Sequence, residues 1–172
     1  MIKNKNKKLS IKDIAVLSVF GVVIFISKIL LEFLPNFHLI AILIMTLTVV
    51  YRAKALISIY VFVFLLVYMN GLSLWTIPHF YIWLFPFILT MLLPRNIKDK
   101  ISVICWSVIA VLHGLLYGTL YAPFQALAFG LDFDATIAWI ITGLPWDLVH
   151  GISNGLLSLL ILPLVKLLKK IT

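Results

Sequence analysis

Long apolar runs, broken only by short polar interruptions, constrain this chain more than any other feature. A bilayer-spanning helix needs ~20 mostly apolar residues, and runs near that length recur from end to end. The first is Ile14 to Leu34, carrying Lys28 and Glu32 near its far end and closing on the turn signal Pro35–Asn36. Phe37–Tyr51 and Ala55–Met69 follow, separated by Arg52, Ala53 and Lys54. Asn70 and Gly71 precede a fourth run, Trp75–Leu93, and a polar break over Pro94–Lys100 precedes a fifth, Ile101–Tyr121. A looser segment, Ala122–Thr136, holds Pro123, Gly130, Asp132 and Asp134. The last run, Ile137–Val165, is interrupted by Gly143 and Pro145. The runs lack the period-two alternation of barrel strands, and a helix satisfies its own backbone in lipid. The expected fold is all-α: a single domain over residues 1–172, an integral membrane bundle of six transmembrane helices.

Composition agrees and excludes other classes. Apolar residues make up 63% of the chain and charged residues 12%, against ~25% charged in a typical soluble domain. Such a chain cannot cover a water-facing surface, which excludes a soluble enzyme and a disordered tail. The net charge of +8 suggests nucleic acid until the cations are placed. Lys3, Lys5, Lys7, Lys8 and Lys12 precede the first run. Arg52 and Lys54 lie between the second and third, Arg95, Lys98 and Lys100 between the fourth and fifth, and Lys166, Lys169 and Lys170 close the sixth. Threading six spans alternately puts 13 of the 14 cations on one side, which the positive-inside rule makes the cytoplasm, with both termini there. The charge therefore reads as topology and anionic-lipid contact, not as a nucleic-acid surface. The basic N-terminus resembles a signal peptide, but its apolar run is too long and no small-x-small site follows, so a retained first helix is expected. Cys105 stands alone, which excludes an intrachain disulfide.

Ionisable groups inside a membrane segment are expensive and mark functional positions. Lys28 and Glu32 are one turn apart and able to pair. Helical spacing aligns Trp106, Ala110, His113, Tyr117 and Tyr121 on the fifth span. It also aligns Trp139, Gly143, Trp146 or Asp147, His150 and Asn154 on the sixth, and His79 with Trp83 on the fourth. Three such stripes converging in the outer half describe a pocket open to the outside, apolar and aromatic with a few placed polar groups. The expected binding residues are Lys28, His79, Trp83, His113, Tyr117, Trp146, Asp147, His150 and Asn154. Simpler roles compete. Trp75, Tyr81, Tyr121 and Trp139 also suit an interfacial belt, and Lys28–Glu32 a snorkelling pair. Asp147 with His150 suits an interhelical clamp, and Asn36 and His38 read as ordinary turn residues. The four histidines have no metal-ligand spacing, and no catalytic set or bound cofactor is expected. Gly151-Ile152-Ser153-Asn154-Gly155 spells the G-x-S-x-G nucleophile string and keeps an intramembrane serine hydrolase as an alternative. That elbow needs a strand-to-helix turn, which an apolar helix does not provide. The small residues there suit close helix packing better. A stand-alone small permease is a further alternative.

Several segments together resemble a family. Phe33-Leu34-Pro35-Asn36 closes the first span, Tyr51-Arg52-Ala53-Lys54-Ala55-Leu56 joins the second and third, and Gly143-Leu144-Pro145-Trp146-Asp147-Leu148-Val149-His150-Gly151-Ile152-Ser153-Asn154 lies within the sixth. With a basic N-terminus and six spans in about this length, the chain is similar throughout to the substrate-binding S component of energy-coupling factor (ECF) transporters, bacterial importers of vitamins and cofactor precursors. Asp147, His150 and Asn154, as D-x-x-H-x-x-x-N, are the most specific element. The resemblance implies a plasma-membrane transport subunit that captures a small molecule from outside. It also implies a transmembrane T component and two cytoplasmic ATPases as partners, with ATP consumed by those partners. Many members dock on the T component through an A-x-x-x-A step on the first helix. Here Ala15 is followed at i+4 by Val19, and the nearest small-residue stripe is Ala15, Ser18 and Gly21.

Overall fold

The computed structural model describes residues 9–94 and 98–171. Lys3, Lys5, Lys7, Lys8 and Arg95, which contribute to the charge asymmetry above, lie outside those residues. Among the described residues every regular element is helical. Four segments are long and apolar enough to cross a membrane: Ile11–Leu30, Ile40–Asn70, Asp99–Phe129 and Phe133–Lys170; a shorter apolar helical segment covers His79–Leu92. The outer surface is as apolar as the core. Val19, Ile26, Phe64, Ile104, Leu148, Ile152 and Leu156 are all exposed, while Ser58, Thr90, His113, Asp147, His150 and Asn154 are buried. That inversion suits hydrocarbon as the surrounding solvent and makes this a membrane-embedded helical protein.

Helix α1 (Ile11–Leu30) starts on a capping box, in which the Ser10 hydroxyl accepts from the Asp13 amide and the Asp13 carboxylate accepts from the Ser10 amide. It stops four residues short of the expected Leu34, because Pro35 can neither donate nor let its predecessor stay helical; turns follow, with Asn36 at φ 58°. Helix α2 (Ile40–Tyr51) then returns toward the start of α1, bringing Tyr51 against Phe20. Thr46 and Thr48 satisfy their hydroxyls on the carbonyls of Ile42 and Ile44, so both are accommodated in an apolar helix. A 3-10 turn over Arg52–Ala55 reverses the chain, with Arg52 at φ 55° and its guanidinium donating to the Met91 carbonyl.

Helix α3 (Leu56–Asn70) runs parallel to α1. Lys54 pairs with Asp13 at 2.8 Å, and the Ser58 hydroxyl donates to the Leu17 carbonyl at 2.6 Å. Gly21 sits so close to α3 that a Cβ there would lie 2.6 Å from Val61 Cβ. Gly71, at φ 71°, ends α3 in a conformation only glycine adopts freely. The short α4 (His79–Ile82) and α5 (Leu84–Leu92) replace the single fourth span and run back to the Arg52 end.

The rest of the chain is one long antiparallel hairpin. Helices α6 (Asp99–Leu115) and α7 (Tyr117–Phe129) go out, α8 (Phe133–Leu157) and α9 (Ile161–Ile171) come back, and a 3-10 turn at Ser158–Leu160 joins the last two. Lys166 meets Asp99 at 2.6 Å, Ser107 meets Ser158 at 2.7 Å, the Asn154 amide donates to the Ala110 carbonyl, and the Asp147 carboxylate accepts from the Gly118 amide. Each step forward on the outgoing arm is matched, to within one residue, by a step back on the return. Gly114 and Gly151 let the backbones touch: a Cβ on Gly114 would lie 2.5 Å from the Gly151 nitrogen. The G-x-S-x-G segment is thus a close-packing surface. The expected loose segment Ala122–Thr136 is mostly helix. Pro123 is absorbed within α7, and the break falls instead at Gly130 (φ 62°) and at Asp132, which caps α8 by accepting from the Ala135 amide at 2.8 Å.

These contacts gather the described cations. Lys12, Arg52, Lys54, Lys98, Lys100, Lys166, Lys169 and Lys170 all fall at one end of the bundle. Lys28 is at the other end, beside Asn70 and His79.

Candidate functional site

At the end of the bundle away from the cation cluster, five elements deliver aromatic and imidazole rings to one place. His150, on α8, has ring-centroid distances of 4.7 Å to His38, 4.8 Å to Tyr117 and 5.8 Å to His113. Trp83, between α4 and α5, lies 5.2 Å from His113, 6.0 Å from His38 and 6.1 Å from Tyr117. His79 extends the group, 5.9 Å from Trp83 and 6.3 Å from Tyr121. Trp83, His113 and His150 are each no more than 1% exposed.

Several polar atoms of this cluster stand without partners. Trp83 Nε1, Nδ1 of His38 and His79, and both ring nitrogens of His113 and His150 are buried with no hydrogen-bond partner. Each such orphan costs ~1–3 kcal/mol, and buried polar atoms are otherwise nearly always satisfied. Elsewhere among the described residues only the Tyr51 and Thr90 hydroxyls and Asn154 Oδ1 are buried without a partner, while Thr46 and Thr48 bond back to their own helix. The orphans are therefore concentrated where the stripes meet.

Beside the cluster lies a hollow of about 260 Å³ whose walls include Tyr117, Tyr121, Trp139 and Asp147, with Trp146 at its edge. A second hollow of about 480 Å³, between Lys28, Asn70, Ser73 and Thr76, shares Trp75 and His79 with the first. The Tyr121 hydroxyl donates to the Trp75 carbonyl, tying the wall between them to α7. Asp147 is 4% exposed, and both its oxygens lie 3.1 Å from the Gly118 amide nitrogen. A Cβ on residue 118 would lie 2.7 Å from Oδ2, so the carboxylate would have to turn away to admit one.

Of the expected binding residues, His79, Trp83, His113, Tyr117 and His150 come together, and Asp147 borders the adjoining hollow. Trp146 is 60% exposed and only edges it. Lys28 belongs to the second hollow and pairs with Glu32 at 2.9 Å. Asn154 is fully buried between α6 and α8, its amide bonded to the Ala110 carbonyl at 3.2 Å, which is a helix-to-helix clamp. Of the small stripe on α1, Gly21 is buried against α3, Ser18 is half-buried and Ala15 is exposed. His38 joins the cluster although its place in a turn suggests nothing of the kind; no helical spacing links it to the stripes. Trp75, Tyr121 and Trp139, which also suit a membrane belt, line the hollow.

Chemically, a neutral imidazole offers one donor and one acceptor, Trp83 a donor and a carboxylate only acceptors. Between aromatic faces, this set suits a planar heterocycle with a mixed hydrogen-bonding edge. The Ser153 hydroxyl lies 2.7 Å from the Asn36 carbonyl and 3.0 Å from that of His150, so its proton is engaged by backbone carbonyls and no ring nitrogen activates it. Among the described residues no group of three or more His, Cys, Asp or Glu is arranged to hold a metal ion. No known protein family, curated protein or solved structure matches the chain.

Proposed function

We propose that the chain is the substrate-binding S component of an ECF-type importer in a bacterial plasma membrane. In this reading six spans cross the bilayer with both termini in the cytoplasm: the hairpin arms provide the fifth and sixth, and α4 with α5 the fourth. The cation-rich end faces the cytoplasm, as the positive-inside rule requires. A vitamin or cofactor precursor enters the hollow from outside, against Tyr117, Tyr121, Trp139 and Asp147, with the orphaned nitrogens of Trp83, His113 and His150 buried beside it. The chain itself performs no chemistry. A T component and two ATPases drive release, through a difference in ligand affinity between outward and inward states.

The observation that carries this reading is the cluster of orphaned buried polar atoms beside an aromatic hollow, at the end of the bundle away from the cations. A bundle held together only by packing has no use for them.

Native mass spectrometry of the purified chain tests it. A small molecule should be retained by the wild type and lost from His150→Ala, with both proteins folded. Co-expression should also recover a T component and two ATPases with the chain. A ligand-bound protein that never associates with ATPases would mean a stand-alone permease. A folded chain that retains no small molecule, from cells supplied with vitamins, would remove the binding reading.

A further inference from the structure

A separate cavity of about 460 Å³ opens at the cation-rich end, where the C-terminal ends of α2 and α5 meet the N-terminus of α6 and the side of α9. Among the described residues its polar lining is Arg52, Thr90, Asp99, Ser102, Lys166 and Lys169. We infer that it is a phosphate-binding site that holds the headgroup of an anionic phospholipid. This inference needs only a membrane-embedded bundle and does not depend on the transport reading.

Three observations converge on an anion. Three cations face one carboxylate, and that carboxylate, Asp99, is already held by Lys166 at 2.6 Å. The N-terminus of α6, a helix of 17 residues, enters the cavity wall at Asp99 with no side-chain cap. Its first-turn amides and helix dipole therefore favour a negative group there. Independently, the Thr90 hydroxyl in the same wall is 1% exposed and has no partner. Thr46 and Thr48 bond back to their own helix, and Thr90 does not, which leaves a buried donor beside the cations.

Geometry selects lipid as the source of the phosphate. Leu162 and Val165 continue the cavity wall along α9 and Leu93 continues it from α5, so an acyl chain leaving the cavity meets apolar side chains. A phosphodiester carries a single negative charge and suits a lining whose described residues are cationic by two. Basic pockets between membrane helices on the cytoplasmic side bind such headgroups.

The test uses the full chain purified in detergent. Delipidated protein is titrated with phosphatidylglycerol, phosphatidylcholine or inorganic phosphate, and followed by native mass spectrometry and thermal unfolding. Phosphatidylglycerol should bind and stabilise in preference to phosphatidylcholine. Lys169→Gln should weaken that binding about fivefold, the equivalent of ~1 kcal/mol per cation at the surface. Thr90→Val, close to isosteric, should weaken it without lowering the melting temperature of the lipid-free protein. Lys12→Gln, outside the cavity, should leave binding unchanged. Equal binding of the two lipids, or no effect of Lys169→Gln and Thr90→Val, overturns the site. Stabilisation by inorganic phosphate without any by phosphatidylglycerol overturns the lipid assignment.

Discussion

The hairpin of α6–α7 against α8–α9 positions His113 and His150, and its glycines make a graded test. A Cβ on residue 114 would lie 2.5 Å from the Gly151 nitrogen and 2.6 Å from its Cα, both backbone atoms of a packed helix. Ordinary contact begins near 3.4 Å, so Gly114→Ala must push the arms apart by about 0.9 Å. Overpacking of this kind costs up to ~3 kcal/mol, against ~1 kcal/mol gained in helix propensity. The net loss of about 2 kcal/mol corresponds to about 4–8 °C in melting temperature for a domain of this size. At Gly151 the new Cβ meets Leu115 Cδ2 at 2.7 Å, a side-chain tip that can rotate away, so Gly151→Ala should be near neutral. At Gly143 nothing lies within 4 Å, and Gly143→Ala should raise stability by up to ~1 kcal/mol. Thermal unfolding in detergent, read from tryptophan fluorescence, should therefore rank Gly143→Ala above Gly151→Ala above Gly114→Ala. If Gly114→Ala melts with or above Gly143→Ala, the arms do not touch through Gly114 and the packing argument is wrong.

Other expectations follow from single contacts. Trp83→Phe removes an orphaned donor but also part of a fully buried indole, two effects of opposite sign, so the ligand-free melting point should move little while ligand retention falls; unchanged retention would mean that the indole N–H takes no part in binding. Asp147→Asn retains an acceptor for the Gly118 amide, so it should change stability by less than ~1 kcal/mol and weaken ligand retention in mass spectrometry. Unchanged retention would make Asp147 a helix clamp. Asn154→Ala removes the bond to the Ala110 carbonyl in a buried interface and should destabilise by ~1–3 kcal/mol, measurable by the same unfolding assay. Ser153→Ala releases the turn carrying His38 from α8; it should cost ~0.5–1.5 kcal/mol and abolish no hydrolytic activity. Loss of a peptidase activity in that variant would restore the hydrolase alternative.

The apolar runs and the scarcity of charge determined by themselves that the chain is helical and membrane-embedded, because no other backbone arrangement suits such a composition. Helical spacing also anticipated which side chains share a face: His113 with Tyr117, and Asp147 with His150. Element ends were legible where glycine acts locally, as at Gly71. They were misjudged at Pro123, where neighbouring helix tolerates the missing donor. Tertiary structure alone decided what the stripes meet. His38 reaches His150 only because the turn after α1 folds across α8, anchored by Ser153 on the Asn36 carbonyl. Asn154, which shares the helix face of His150, is taken up by Ala110 and serves packing. Spacing along a helix fixes the direction in which a side chain points. Whether it ends on a backbone carbonyl, a neighbouring ring or a hollow depends on the opposing helix, and that information is not local.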